Sequence, residues 1–343
     1  MDVFPAAAEP TPEATGTPYH LLAREHGTRP HRWWRPLVAL LVFGALTLVL
    51  LAVTMSALSL FVLFPAGFAE LRVASLWWDP ELVETLVQDP FALLFVSFGA
   101  IVALMPAALL SAAWAQRRSP RELLGVTGRL RWRWLAECLL GALVVLGAAF
   151  ALSALLTVLT GRSFGPGFPG WADYARIAAL ALLVIPFQSA AEEIAFRGFL
   201  LQTVTAWFRT PWVAIAVTSV LFLFGHGYTD PLVWCELLVM AAVMCWLTLR
   251  TGGLEAAIAL HVLNNVLTVL VGGLAGVPGI EQAGDFALGD VVPFIAAVLV
   301  YGWWADRRAA RRGAWTVTGG RVPLNPWSLR PATRVDLHAE VTG

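Results

Sequence analysis

Residues 37–62 read LVALLVFGALTLVLLAVTMSALSLFV, a stretch of 26 residues that contains no charged side chain. As an α-helix it would be about 39 Å long, which is enough to cross the roughly 30 Å hydrocarbon core of a bilayer. Similar stretches recur along the chain, separated by short segments that carry most of the charge. This pattern predicts an integral membrane protein and excludes an ordinary soluble domain.

The whole chain predicts an all-α, polytopic membrane helix bundle with about eight transmembrane helices. Of its 343 residues, 58% are hydrophobic and 13% are charged, whereas soluble domains have roughly 45–50% and 25%. The predicted spans are residues 37–62, 92–114, 135–159, 174–207, 212–227, 232–250, 254–275 and 288–305.

The distribution of arginine predicts the orientation of the bundle. Arginine is concentrated before the first span, in the second connection and after the eighth span, whereas the first and seventh connections are acidic. By the positive-inside rule, a multi-pass protein of the cell membrane with both termini in the cytoplasm is expected. Because the arginines lie at the ends of apolar segments and form no single patch, nucleic acid is not an expected partner. The second connection contains RRSPRELLGVTGRLRWRW (117–134), and its helical spacing predicts a segment lying flat on the inner membrane surface.

The fourth span contains AAEEIAFRGF, with two adjacent carboxylates and an arginine. An ionisable residue inside a membrane is costly, so its presence suggests a function. Glu193 and Arg197 are four residues apart and favour an ion pair on one helix face. Glu192 points about 100° away from Glu193, which leaves it available as a base. The alternative is a Glu–Arg cluster that fixes the helix at the cytoplasmic interface.

Two later spans carry further polar residues that could serve the same chemistry. The fifth span ends with Phe222 and His226, and the seventh carries His261 and Asn265 on one helix face. Taken singly, His226 is typical of an interfacial histidine, and the His261–Asn265 pair is typical of a polar contact between helices. Together they could activate a water molecule and stabilise the oxyanion formed when a peptide bond is attacked.

The three motifs EExxxR, FxxxH and HxxxN occur in that order on successive hydrophobic segments, and they closely resemble the CPBP family of intramembrane proteases. That family includes type II CAAX prenyl endopeptidases and bacterial proteins linked to bacteriocin processing or self-immunity. The resemblance covers roughly residues 172–275. It implies that Glu192 and His226 activate water while His261 and Asn265 form the oxyanion site, with Phe222 in the wall of a cavity that opens toward the cytoplasm or inner leaflet.

The expected organisation follows from the spans and the resemblance together. We predict, in order, a disordered cytoplasmic tail (1–32), N-terminal transmembrane helices with an amphipathic connection (33–171), a CPBP-like catalytic core (172–275), a last transmembrane helix (276–312) and a loose cytoplasmic tail (313–343). The expected partners are the lipid bilayer and a membrane-embedded or membrane-anchored peptide or protein substrate. The sequence specifies no oligomeric state.

Participation of a metal is left open by the sequence. Glu192, His226 and His261 could supply three ligands to Zn²⁺, with water as the fourth. The sequence lacks HExxH, and Asn265 is a better oxyanion donor than zinc ligand, so we expect no firm cofactor and a glutamate-activated water.

The positions of the proposed site residues along their spans place them at different depths in the membrane. Counted from the cytoplasmic end, His226 lies about fifteen residues into its span and His261 about eight into its own, while Glu192 lies deep in a long fourth segment with Pro186. For these residues to meet, the fourth segment must break or overshoot the membrane, or the fifth span must start outside it.

Two other functions compete with proteolysis. A non-catalytic membrane scaffold or a bacteriocin self-immunity factor could use the same fold, although every motif residue of the protease is retained. A transporter with a proton relay would favour internally repeated halves, and no such repeat is visible in the sequence.

Overall fold

The structure, a computed structural model, describes residues 16–26, 32–63, 89–277 and 286–320. Within these ranges the regular secondary structure is entirely helical, and β-pairing is limited to isolated bridges. The predicted all-α bundle is therefore confirmed. The acidic residues of the first connection other than Asp89, and Glu281 and Asp285 of the seventh, lie outside the described residues.

Within the described residues, eight helical segments correspond to the eight predicted spans. Seven are long and apolar enough to cross a membrane, whereas the fifth has only 14 residues and would be about 21 Å long. The segments are α1 (Arg35–Leu63), α2 (Pro90–Trp114), α3 (Trp132–Leu159), α4 (Trp171–Phe208), α5 (Pro211–Phe224), α6 (Pro231–Thr251), α7 (Glu255–Gly272) and α8 (Leu288–Arg311).

The ends of several helices follow from local sequence signals. At the start of α6, Asp230 Oδ1 accepts a hydrogen bond from the Leu232 amide, and Pro231 occupies the first turn, where no amide donor is needed. Asp89 and Pro90 repeat this arrangement at the start of α2. Helix α6 ends at Gly252, whose left-handed φ of 67° suits glycine.

Helix α4 is both interrupted and longer than a membrane crossing. Its first part, Trp171–Leu183, stops at Val184, and a second part, Ile185–Glu193, restarts around Pro186, which has no amide hydrogen to donate. A π-helical stretch, Ile194–Leu200, follows before the α-helix resumes at Leu201. Its 38 residues would extend about 57 Å. The fourth segment therefore both breaks and exceeds the bilayer thickness.

The packing of the helices brings the polar motifs together. Helix α3 packs against α7 and α8, while α6 packs against α5 and α8. The central part of α4, Ile185–Glu193, lies along α7, and α5 packs along the π-helical stretch and the last part of α4. As a result, the two glutamates of α4 face the histidine of α7, and α5 approaches the same region from the side.

Part of the predicted disordered tail, 1–32, is ordered. Tyr19–Leu21 and Leu22–Glu25 form a short helical segment that packs against the end of α4. Tyr19 is fully buried, and its hydroxyl donates to the Leu123 carbonyl at 2.6 Å. The prediction was wrong for residues 16–26, because the tail's polar composition hides two residues, Tyr19 and Leu22, that fill a gap in the bundle.

Two further segments at this arginine-rich end pack more closely than predicted. In the second connection, Leu123 is buried and the Val126 amide donates to the Gly252 carbonyl, so this connection packs against the helices. In the tail predicted to be loose, Val317 is buried, and the Thr318 amide donates to the Thr17 carbonyl. Both predictions were based on local composition, which does not reveal backbone hydrogen bonds to segments distant in the sequence.

Candidate active site

Two adjacent carboxylates, Glu192 and Glu193, form the centre of the candidate site. They end the central part of α4, directly before the π-helical stretch. Glu193 is fully buried, and Glu192 is 7% exposed. Both carboxylates reach the same buried side chain of α7, His261. A wider helical turn at this position is a feature often found at functional sites.

Glu193 is held by two cationic or hydrogen-bonding partners. Its Oε1 accepts from Arg197 Nη1 at 2.8 Å and lies 2.7 Å from His261 Nδ1. The carboxylate therefore fixes a proton on Nδ1 of His261 and directs Nε2 to the other side of the ring. Arg197 is itself fully buried, so its ion pair with Glu193 compensates two charges that would otherwise be costly in a membrane protein.

Glu192 has one satisfied and one unsatisfied oxygen. Its Oε1 accepts from Gln188 Nε2 at 2.8 Å. Its Oε2 lies 3.5 Å from His261 Nε2, and neither atom has a hydrogen-bond partner in the described part of the chain. Buried polar atoms usually have a partner, so this pair marks a position where a water molecule or a substrate atom would be bound.

Phe222 connects His226 to the rest of the site. Its ring centroid lies 4.4 Å from the His226 ring and 5.5 Å from the His261 ring, and the Arg197 guanidinium lies 4.3 Å from it. His226 is the second residue after the end of α5, and its Nδ1 lies 2.7 Å from the Phe222 carbonyl. Because a carbonyl oxygen only accepts, Nδ1 donates and Nε2 is left available.

Asn265 joins the site through the side chain of Gln188. Its Nδ2 donates to Gln188 Oε1 at 3.4 Å and to Ser189 Oγ at 3.3 Å, and its Oδ1 accepts from Asn264 Nδ2 at 3.3 Å. Asn265 is partly exposed, whereas His261, one turn earlier on α7, is fully buried. The amide therefore lies where the polar cluster approaches the surface.

The predicted site residues are thus brought together unequally. Glu192, Glu193, Arg197 and His261 interact with one another directly, and Phe222 contacts three of the motif side chains. Within the described residues, neither His226 nor Asn265 is hydrogen-bonded to Glu192. His226 is linked through the Phe222 ring, and Asn265 is linked through Gln188.

Sequence reasoning missed Gln188 and Ser189, which belong to the same cluster. A signal was present, because Gln188 precedes Glu192 by four residues and therefore lies on the same helix face. Ser189 Oγ donates to Gln188 Oε1 at 3.1 Å.

The zinc alternative requires Glu192, His226 and His261 to converge on one point. Among the described residues, no group of three or more His, Cys, Asp or Glu side chains lies in an arrangement that could hold a metal ion. His261 also has Nδ1 occupied by Glu193, and only Nε2 and the Glu192 carboxylate face each other. The side chains as arranged do not form the three-ligand set, and we derive no step through a metal.

Comparison with known proteins identifies the central part of the chain. Residues 174–267 match the family described as type II CAAX prenyl endopeptidase Rce1-like, so the resemblance predicted from the three motifs is confirmed. The uncharacterized protein YyaK of Bacillus subtilis (strain 168) is 25% identical over 193 residues, which are 54% of this chain. The match spans 63% of the length of that protein. No solved structure is significantly similar to this chain.

Proposed function

Because residues 174–267 carry a domain of the type II CAAX prenyl endopeptidase Rce1-like family, we propose that this multi-pass membrane protein is an intramembrane endopeptidase. It hydrolyses a peptide bond of a membrane-embedded or membrane-anchored peptide or protein. Glu192 and His226 activate the attacking water, and His261 and Asn265 stabilise the oxyanion.

One observation carries the proposal. Glu192 Oε2 and His261 Nε2 face each other at 3.5 Å, both are buried, and neither has a hydrogen-bond partner among the residues that the structure describes. A protein rarely leaves two adjacent buried polar atoms unsatisfied unless something binds there. A water molecule that donates to the carboxylate is positioned to lose its proton to Glu192.

The proposed reaction divides the work between two groups of side chains. The water oxygen forms a bond to the carbonyl carbon of the substrate while its proton passes to Glu192. The carbonyl oxygen, now negative, accepts hydrogen bonds from the Asn265 amide and from a His261 N–H. The C–N bond then breaks, and the leaving nitrogen takes the proton from Glu192.

The residues around this centre support the same roles. Glu193 orients His261 through Nδ1, and Arg197 balances the charge of that carboxylate. The bond from His226 Nδ1 to the Phe222 carbonyl leaves its Nε2 available to hold the attacking water. Phe222 separates the two histidines with an apolar ring that reduces access of bulk water.

The substrate and orientation are part of the proposal. The arginine-rich end of the bundle faces the cytoplasm, which follows from the positive-inside rule. A prenylated CAAX protein is one member of the proposed substrate class, and any peptide held at the membrane with a flexible bond near the site is another.

The test compares newly formed protein N-termini in membranes from cells that produce either the wild-type chain or Glu192→Gln at equal levels. The proposal expects termini that appear only with the wild type and disappear again with His226→Ala. If both chains give the same termini and a cellular phenotype survives the Glu192→Gln substitution, the protein acts as a non-catalytic scaffold or immunity factor.

A further inference from the structure

We propose that Gln188 is a positioning residue of this active site, which sets the orientation of both the Glu192 carboxylate and the Asn265 amide. This inference rests on the proposed endopeptidase function. It assigns a task to a side chain that lies outside the three sequence motifs, one turn before Glu192 on α4.

Gln188 is the only described side chain that is hydrogen-bonded to both Glu192 and Asn265. Its Nε2 donates to Glu192 Oε1 at 2.8 Å, and its Oε1 accepts from Asn265 Nδ2 at 3.4 Å. Ser189 Oγ donates to the same Oε1 at 3.1 Å. Gln188 is 3% exposed, so water has little access with which to replace these bonds.

The chemistry of the donors and acceptors fixes the direction of this chain of bonds. An ionised carboxylate can only accept, so the Gln188 amide must present its NH₂ group to Glu192. Its carbonyl oxygen then faces α7, where it can be satisfied only by donors. Asn265 supplies one by turning its NH₂ group inward, and its Oδ1 is left to accept from Asn264.

Two catalytic consequences follow from this order. Glu192 Oε1 is occupied by Gln188, so Oε2 is the oxygen left to take the proton of the attacking water. The Asn265 amide nitrogen lies 3.4 Å from Gln188 Oε1 and 3.3 Å from Ser189 Oγ, which turns its N–H groups toward the cluster, where an oxyanion can accept from one of them. An asparagine turned by 180° would instead present its carbonyl oxygen to the oxyanion and would repel it.

The test substitutes Gln188 with methionine, which has a similar length and cannot make these bonds. The matched control is Gln202→Met, because Gln202 is also a buried glutamine of α4 and its Nε2 donates to the Glu122 carbonyl, away from the site. The probe is an internally quenched peptide that spans a cleavage site identified from the wild-type N-termini, presented in lipid vesicles. Cleavage rates are measured against peptide concentration and are normalised to folded protein.

The expected result is a kcat about 10- to 100-fold lower for Gln188→Met with KM nearly unchanged, and an unchanged kcat for Gln202→Met. Combining Gln188→Met with Asn265→Ala should cost less than the product of the two single effects, because both act through one amide. Equal kcat values for wild type and Gln188→Met, or strictly multiplicative effects, would overturn the positioning role while leaving the endopeptidase intact. A wild-type protein that cleaves no membrane peptide would instead overturn the proposed function, and the inference with it.

Discussion

Two buried glutamates of this protein, Glu255 and Glu192, differ in how completely their carboxylate oxygens are hydrogen-bonded. Both oxygens of Glu255, at the start of α7, are satisfied by Arg131: Oε1 by the amide and Nε at 2.8 Å each, and Oε2 by Nη2 at 2.7 Å. Among the described residues, the Glu192 side chain accepts one hydrogen bond, from Gln188 to Oε1, and its Oε2 accepts none. A fully paired carboxylate fastens one segment to another, whereas an incompletely paired carboxylate in an apolar bundle retains the capacity to bind and to take a proton.

The same contrast explains why the two clusters lie at different places. Arg131 directly precedes α3, and its Nη2 also donates to the Thr251 carbonyl, so the pair ties α3 to the turn between α6 and α7. Glu192 lies within the bundle, beside the π-helical stretch of α4. We therefore expect substitutions in the first cluster to lower stability and substitutions in the second to lower catalysis.

The largest expected effect on catalysis is that of Glu192→Gln. Glutamine has nearly the same shape but cannot take a proton from water, so kcat should fall about 10²- to 10⁴-fold. The unfolding midpoint in detergent should stay near that of the wild type, because no fully formed ion pair is lost. Peptide cleavage and thermal unfolding of the same preparation measure both quantities. A kcat within threefold of the wild type would contradict the assigned role.

Arg131→Ala should lower the stability of the protein by a free energy comparable to the catalytic loss expected for Glu192→Gln. It leaves Glu255 buried without its charge partner, and breaking a buried pair in this way costs about 3–5 kcal/mol of unfolding free energy. The cleavage rate per folded molecule should be preserved. Denaturant unfolding in micelles measures the loss, and an unchanged unfolding free energy would show that the pair does not fasten the helices.

Asn265→Ala should lower kcat about 10²- to 10³-fold, which is the usual effect of removing one oxyanion donor. Asn264→Ala is the matched comparison. Asn264 directly precedes Asn265 on α7, and its side-chain amide donates to Asn265 Oδ1. We expect a smaller loss for Asn264→Ala. If the two variants were equally active, Asn265 would not be the donor.

Tyr19→Phe should have the smallest effect. It removes the hydroxyl that donates to the Leu123 carbonyl, which leaves a buried acceptor unsatisfied at a cost of about 1–3 kcal/mol. Burial raises the pKa of Tyr19, so the hydroxyl remains a donor at any ordinary pH. Unfolding of the variant in micelles measures the loss. No change would show that residues 16–26 add nothing to the stability of the bundle.

Hydrophobicity and spacing predicted the bundle and much of the candidate site, because both depend on local sequence. The 26 uncharged, mostly apolar residues of 37–62 favour a helix in a membrane, and Arg197 is paired with Glu193 through four-residue spacing. The remaining features depend on neighbours distant in sequence. The π-helical stretch of α4, the second bond of Glu193 to His261 and the burial of Tyr19 against Leu123 all require packing that composition does not encode.

The resolution of the depth difficulty illustrates the same limit. Pro186 indicated an interruption of the fourth segment in the sequence. The structure adds that α5 is short and packs against the long final part of α4. About sixteen residues separate Glu192 from the end of α4, and about fifteen separate Pro211 from His226. The two stretches are nearly equal in residue number, and α5 packs back along the end of α4, so the chain returns to the region of the α4 motif.

The most direct measurement compares Glu192→Gln with Glu255→Gln in the same lipid vesicles, recording cleavage per folded molecule and the unfolding midpoint for each. The predicted result is a reversal. Glu192→Gln loses cleavage and keeps its midpoint, whereas Glu255→Gln lowers the midpoint and keeps its cleavage rate. Wild-type cleavage by Glu192→Gln would contradict the claim that the incompletely paired carboxylate performs the chemistry.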